Sequence, residues 1–400
     1  MSWEQKVLGD ISTSIQTGPF GSQLHQSDYS DEGVPVVMPK DLIQGVVSEE
    51  SIARVSKEHV ERLSKHKIRD GDILYSRRGD VGKCAFTSER EIGWICGTGC
   101  LKVSVDKEKA DPQFIFYQLQ KAETIGWVIN HAVGSTMLNL NTSILSAVPV
   151  DVPEIEIQRK IVKILSSYDE LIANNKKQIK LLEEAAQRLY KEWFVDLRFP
   201  GYEDVKIVDG VPEGWTKPSM NDIADYLNGY AFKPDDWNDK GKPIIKIKEM
   251  NEGIIPTTPR NDGRAIPEKY NVIAGDILFS WSATLAAMIW DSEDGLLNQH
   301  LFKVTPNNGV CREYVLQSIL KTLDEFKNLT TGSTMKHIQR GKLKEVFVNL
   351  PSQEIMDKFA SIADVYREMV LRLQKQNSAL KEARDRLLPR LMNGEIEVWT

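Results

Sequence analysis

Between residues 154 and 194 the apolar positions fall at alternating steps of four and three: Ile161, Leu165, Tyr168, Ile172, Asn175, Ile179, Leu182, Ala186, Leu189 and Trp193. That spacing is a heptad seam and predicts one long amphipathic helix. Adding 198 to each number gives Phe359, Ala363, Tyr366, Val370, Leu373, Asn377, Leu380, Arg384, Leu387 and Leu391, a second seam in which only Arg384 is charged. Each helix would run about 39 residues, roughly 58 Å at ~1.5 Å per residue. Neither can bury its stripe alone, so the two are expected to bury it against each other. In an antiparallel pair Asn175 would face Asn377, because the two flank a common centre. A polar seam residue fixes register in coiled coils, and that role is expected of this pair.

The repeat extends beyond the helix. Trp3 and GDI at 9–11 match Trp215 and NDI at 221–223, and TGPFGSQLHQSDY from Thr17 precedes the first half's strands as NGYAFKPDDW from Asn228 precedes the second's. Gly33-Val34-Pro35-Val36-Val37 and Gly241-Lys242-Pro243-Ile244-Ile245 read as a glycine turn entering a buried strand. GDILYS at 71–76 matches GDILFS at 275–280, and GSTM at 134–137 matches GSTM at 332–335. Further strand-like runs lie at 92–96 and 101–105 and at 301–304; helical runs lie at 113–122 and 312–326. One unit is therefore a globular part followed by one long helix. The expected fold class is α+β: two globular α/β parts in tandem pseudo-repeat, separated by two long antiparallel coiled-coil helices with pseudo-twofold symmetry. The expected divisions are 1–153, 154–199, 200–352 and 353–400, with a Pro- and Gly-bearing linker over 199–215.

Charge alone does not point to nucleic acid. Residues 1–153 carry 16 Lys+Arg against 20 Asp+Glu, 154–199 carry 9 against 8, 200–352 carry 18 against 21, and 353–400 carry 8 against 8. No segment is strongly basic, so DNA binding would need a local basic face or partners that supply phosphate contacts. No apolar run approaches the ~20 residues of a membrane span. The opening MSWEQKVLGD has no basic or apolar leader region, so no signal peptide is expected. Four cysteines fit a reducing cytoplasm, the expected location, better than a disulfide scaffold.

The stretches TGPFGSQLHQSDY, GDILYSRRGDVGKCAF, LYKEWFVDLRFPG followed by VPEGW, and NGYAFKPDDW with GDILFS make the chain resemble the DNA-specificity subunit of type I restriction–modification systems. The resemblance covers essentially the whole chain. It implies two target recognition domains, each reading one half of a split double-stranded DNA site, and two antiparallel helices that set the gap between them. On B-DNA such a spacer favours groove faces about one helical turn, ~34–36 Å, apart. It implies assembly with two modification subunits that methylate adenine at N6 using S-adenosylmethionine. It also implies restriction subunits that use ATP and magnesium, and no membrane. The family often carries Pro-Pro and Glu-Gln ahead of each spacer helix; VPEIEIQRK at 152–160 and LPSQEIMDK at 350–358 have a single proline each.

Under that resemblance, candidate DNA contacts follow the two shared motifs. After GDILYS comes a basic, glycine-bearing turn with Arg77, Arg78 and Lys83; arginine reads guanine O6 and N7 or clamps phosphate. A solvated turn with an Arg–Asp80 pair is the alternative. The second half has Ser280 and Trp281 there, with Trp281 equally suited to the core. After GSTM the first half offers Ser135, Thr136, Asn139 and Asn141, and the second Ser333, Thr334, Lys336, His337, Gln339, Arg340 and Lys342, the most basic local cluster. Residues 54–69 hold six Lys and Arg with Glu58 and Glu61 interleaved, which reads as a solvated helix face. Asn298-Gln299-His300 has adenine-reading groups, yet a polar turn before a strand explains it as well.

Catalytic motifs are missing from the sequence. There is no G-x-G-x-x-G, no Asn-Pro-Pro- or Asp-Pro-Pro-aromatic run, and no GxxxxGK[ST] loop. Pro234-Asp235-Asp236 with Asp239 and Lys242 is too bunched for a nuclease acid–acid–lysine site. Cys84, Cys96 and Cys100 fall on strand-like runs without a local histidine and read as buried thiols rather than metal ligands. No catalytic residue, metal site or cofactor of its own is expected: the chain reads DNA and is not an enzyme. The alternatives are a pseudo-symmetric protein-binding scaffold and, against the missing motifs, a solitary methyltransferase.

Overall fold

The duplicated GDIL stretch becomes a buried strand in each half of the chain, Ile73–Ser76 and Ile277–Ser280. Our computed structural model describes residues 3–134, 137–255, 257–282, 285–328 and 340–398. It divides into one unit made of Met1–Leu171 with Leu380–Thr400 and a second of Ile172–Ala379.

In the first unit an antiparallel sheet runs in the order Ser12–Thr17, Cys100–Val105, Ile73–Ser76, Cys84–Phe86. The second unit repeats it with Ala224–Asn228, Leu301–Pro306, Ile277–Ser280 and Ala286–Ile289. Register repeats too: Cys100 lies opposite Ser76, and Leu301 opposite Ser280. Each unit has a second sheet built on one parallel pair, Val34–Val37 with Ile95–Cys96 and Lys242–Ile245 with Gly295–Leu297. Gly18 and Gly229 occupy places where the chain crosses another backbone; a Cβ would lie 1.9 Å from the Gly97 carbonyl oxygen and 2.1 Å from that of Asn298. Only glycine allows that approach, which explains the glycine of both TGPF and NGYA.

Behind the duplicated GDIL stretch lies an ion pair that the sequence does not announce. Asp72 accepts from the Arg69 amide at 2.8 Å and stands 3.6 Å from the Lys102 ammonium, both side chains buried. Asp276 accepts from the Ile273 amide at 3.0 Å and stands 3.9 Å from Lys303. Each lysine also donates to a backbone carbonyl, that of Lys67 or of Asn271. The available signal was a lysine at the same place in both copies, inside the apolar runs Leu101-Lys102-Val103 and Phe302-Lys303-Val304.

The two seams form helices Ile155–Tyr190 and Gln353–Met392. In the first unit Ile161 and Leu165 share a core with Leu388, Leu391 and Met392. In the second Trp193 stacks edge-on to Phe359 at 6.0 Å, and Asn175 donates through its side-chain amide to the Asn377 side-chain oxygen at 3.0 Å. Early residues of one helix meet late residues of the other, so the pairing is antiparallel. Arg384, the one charge on the seam, is no defect: it pairs with Asp169, which also accepts from the Tyr117 hydroxyl at 2.6 Å. Burial opposes its charge, but the hydrogen bonds and charges of Asp169 and Asp385 together outweigh burial and raise the Arg384 pKa.

The end of the first helix loosens into a single π turn, Lys191–Val195, which turns Trp193 and Phe194 inward. Phe194 lies within 5.0 Å of the Tyr314 ring, 4.9 Å of Phe359 and 5.9 Å of Trp215. KEWFVDLRFPG and VPEGW are therefore one aromatic core. The linker between them is ordered rather than plain coil, with a hairpin of Ile207–Val208 and Val211–Pro212 turned by Asp209 and Gly210, both at positive φ. Residues 54–69 likewise differ from the expected helix face: strand Ala53–Val55 is followed by helix Lys57–Arg62, capped by Ser56, and the turn Ser64–His66. The run at 92–96 shortens to Ile95–Cys96, because a 3-10 turn at Glu89–Glu91 and Gly93 at positive φ precede it.

Candidate nucleic-acid interface

In the first unit, two stretches sixty residues apart in sequence become neighbours at the end of the buried strand Ile73–Ser76. Arg77 donates its amide to the Gly99 carbonyl at 2.8 Å, and its own carbonyl accepts from the Leu140 amide at 2.8 Å. Arg78 bridges Asn139, which in turn bridges Val133. The basic turn and the segment after GSTM thus share one rim. Arg78 and Lys83 are exposed there, Lys83 paired with Asp80 at 3.3 Å.

Arg77 is placed differently from its neighbour. Its guanidinium carbon lies 5.8 Å from the centre of the Phe20 ring, while Nε is buried without a hydrogen-bond partner among the described residues. Burial, with the charge of Arg78 second, lowers its pKa, though an arginine remains a cation. Asn139 also holds a buried, unpartnered oxygen, Oδ1. Buried polar groups are rarely left unpaired, so two in one rim set this place apart. Asn141 is exposed, and its side-chain oxygen caps the helix Thr142–Ser146 by accepting from the Ile144 amide at 2.8 Å. Ser135 and Thr136 lie outside the described residues.

The second unit differs at the matching strand end. Ser280 is buried and its hydroxyl donates to the Ser282 carbonyl at 3.2 Å, as Ser76 donates to Arg78 at 3.1 Å. Both serines close the turn from inside rather than face outward. Trp281 is half-buried: its indole N–H donates to the Asn228 side chain at 3.1 Å, and its ring lies 5.8 Å from those of His300 and Phe302. Arg340 is exposed and paired with Asp225 at 3.3 Å, toward the other end of the strand that carries Asn228; Lys342 is held by Glu345 at 2.7 Å in the turn Arg340–Glu345. Ser333, Thr334, Lys336, His337 and Gln339 lie outside the described residues. Phe20 is not among the residues expected at the site, yet its ring is the one that neighbours Arg77.

Among the described residues no group of histidine, cysteine and carboxylate side chains is arranged to hold a metal, and no helix is long and apolar enough to cross a membrane. Burial pushes the Cys84 and Cys96 thiols up to about 12, so both stay protonated and unreactive near neutral pH.

Comparison with known proteins gives one consistent result. Residues 1–184 and 212–382 match the family described as type I restriction modification DNA specificity domain. The type I restriction enzyme MjaIX specificity subunit of Methanocaldococcus jannaschii is 24% identical over 415 residues, spanning 99% of this chain and 94% of the relative. The HindI specificity subunit of Haemophilus influenzae is 23% identical over 468 residues, spanning 98% and 99%. In structure, the chain is similar to the S subunit of a type I restriction–modification system from M. genitalium, with a TM-score of 0.56, 17% identity and coverage of 100% and 97%, which is a likeness of fold.

Proposed function

The chain belongs to the family of type I restriction–modification DNA specificity subunits, and from that premise we propose that it is the DNA-reading, non-catalytic subunit of such a complex. Each globular part, residues 1–153 and 200–352, reads one half of a bipartite target. The helices within 154–199 and 353–400 set the spacer between the halves. Two modification subunits carry S-adenosylmethionine and methylate adenine at N6, and restriction subunits with ATP and magnesium join them in the cytoplasm.

One observation supports this reading above the others. The first unit gathers Arg77, Arg78, Lys83 and Asn139 at one rim, with two buried polar atoms awaiting partners. The same strand end of the second unit carries a different set, Trp281 on Asn228 and beside His300, while Arg340 pairs with Asp225 toward the other end of the strand that carries Asn228. A shared scaffold with unlike chemistry at corresponding places suits two readers of unlike sequences. Base edges specify through such side chains, while phosphate contacts only position the protein.

The test is binding to random bipartite duplexes with and without modification subunits, followed by sequencing of the methylated bases. A two-part motif with a fixed gap is expected. Sequence-independent binding even with the partners would favour the protein-binding scaffold, and methyl transfer by this chain alone would overturn the non-enzyme reading. Lengthening both helices by one turn, ~5.4 Å, should move the gap by about one or two base pairs, since base pairs stack ~3.4 Å apart.

A further inference from the structure

The first unit spends three more residues than the second between its close-approach glycine and the next turn. Gly18 and Gly229 correspond by their backbone crossings, and Asp28 and Asp236 correspond as caps that accept from the amides of His25 and Lys233. Asp28 lies ten positions after Gly18, and Asp236 seven positions after Gly229. Counting back from the caps, Leu24 matches Phe232, and each is buried in the small core under its sheet. Phe20 lies within the longer segment and has no core duty: it is 55% exposed and lies in none of the apolar clusters among the described residues.

The added turn is nevertheless well built. The Phe20 amide donates to the Gln23 side-chain oxygen at 3.1 Å, and the Phe20 carbonyl accepts from the amides of Gln23 and Leu24 at 2.8 and 3.2 Å. This closes a turn with the aromatic ring at its outer side, beside the Arg77 guanidinium at 5.8 Å. A cation held near an aromatic ring loses orientational freedom, so the fork of Arg77 is presented rather than searching. An exposed aromatic held at an ordered turn, against a cation with a buried unpartnered nitrogen, is a poor solution for a surface that meets only water.

We propose that Phe20 is a base-reading residue, forming with Arg77 a two-residue element that takes a guanine through the guanidinium and the C5-methyl of a neighbouring thymine through the phenyl ring. Both halves of that recognition use the major groove, where guanine offers O6 and N7 and thymine offers its methyl group. The inference rests on the reading of the first unit as a DNA reader. The matching segment of the second unit is shorter and places Tyr230 against Phe232 at 5.0 Å and Tyr270 at 5.5 Å instead.

Replacement of single thymines by deoxyuridine tests it, since uracil lacks only that methyl. The full chain with its modification subunits first defines the target by methylation sequencing; each thymine of either strand in both half-sites is then replaced in turn. One replacement, confined to one half-site, should weaken the wild-type complex about fourfold, the worth of one buried methyl. The Phe20→Ala complex should bind the thymine and uracil duplexes equally, with the thermal midpoint of the chain unchanged. If Phe20→Ala destabilises the chain, Phe20→Leu repeats the cycle and should shrink the penalty. The proposal is overturned if no replacement weakens the wild type, if the penalty persists in the Phe20 variant, or if neither half-site contains an A·T pair. A wild-type complex with no bipartite target at all would instead overturn the reading beneath it.

Discussion

Asp72 and Lys102 each expose only 3% of the side chain, while their counterparts Lys303 and Asp276 expose 18% and 24%. That contrast makes two copies of one motif unequal. Removing one partner of a buried pair leaves the other charge without compensation, at a cost of about 3–5 kcal/mol. Asp72→Asn should therefore destabilise the full chain by about that amount, and Asp276→Asn by clearly less, because water reaches the second pair. Urea unfolding of the two variants decides it; equal losses would show that burial is not what gives the pair its weight. His66 adds a pH dependence to the same unit. It is buried, its Nδ1 donates to the Thr17 carbonyl at 3.1 Å, and Nε2 has no partner among the described residues. Burial, with Lys65 next, lowers its pKa below the ordinary 6.5. The folded state thus prefers the neutral ring: its stability is complete above pH 6.5 and falls as pH drops through the lower folded value. The thermal midpoint should decline between pH 7 and pH 5, and His66→Gln should flatten that decline.

Elements are where the two asparagines act. Asn175 donates to Asn377 at 3.0 Å and also to the Gln376 side chain at 3.2 Å, inside a largely apolar seam. Asn175→Leu strands a buried amide on the opposite helix and should cost about 1–3 kcal/mol. Changing both residues to leucine removes the stranded group, so the double variant should melt above either single variant while allowing the helices more than one register. A double variant no more stable than Asn175→Leu would refute this account. The helices were legible from the sequence because a heptad seam is a local, periodic signal and its partner lay at a fixed offset of 198. Much of the strand pattern was legible for the same reason. The π turn at Lys191–Val195 was not, since it arises from the packing of Phe194 among Tyr314, Trp215 and Phe359, residues remote in sequence. The Asp72–Lys102 pair escaped because thirty residues separate its members. Within the candidate site, the arginines were visible as charges, but their joining to Asn139, and Phe20 as Arg77's neighbour, needed the fold.

For the whole molecule, the duplicated plan has a consequence that no single site has. Each reader is carried by its own core and its own sheets, and the chemistry at the strand end differs between the units. A change confined to one rim should then alter one half of the target and leave the other half and the gap untouched. Arg78→Ala removes an exposed cation that the core does not use, and Arg340→Ala does the same in the second unit, where the arginine pairs with Asp225. Base-specific loss per contact is about 1–3 kcal/mol, whereas a phosphate contact weakens all sequences alike and lowers the salt dependence of binding. Methylation sequencing with each variant separates these outcomes. Arg78→Ala should relax one or two positions of one half-site, or weaken every site evenly with a shallower salt slope if it holds phosphate. Arg340→Ala should act in the same ways, with any relaxation in the other half-site. If either variant relaxed both half-sites or changed the gap, the two units would not read independently, and the repeat would have to be understood as one composite surface.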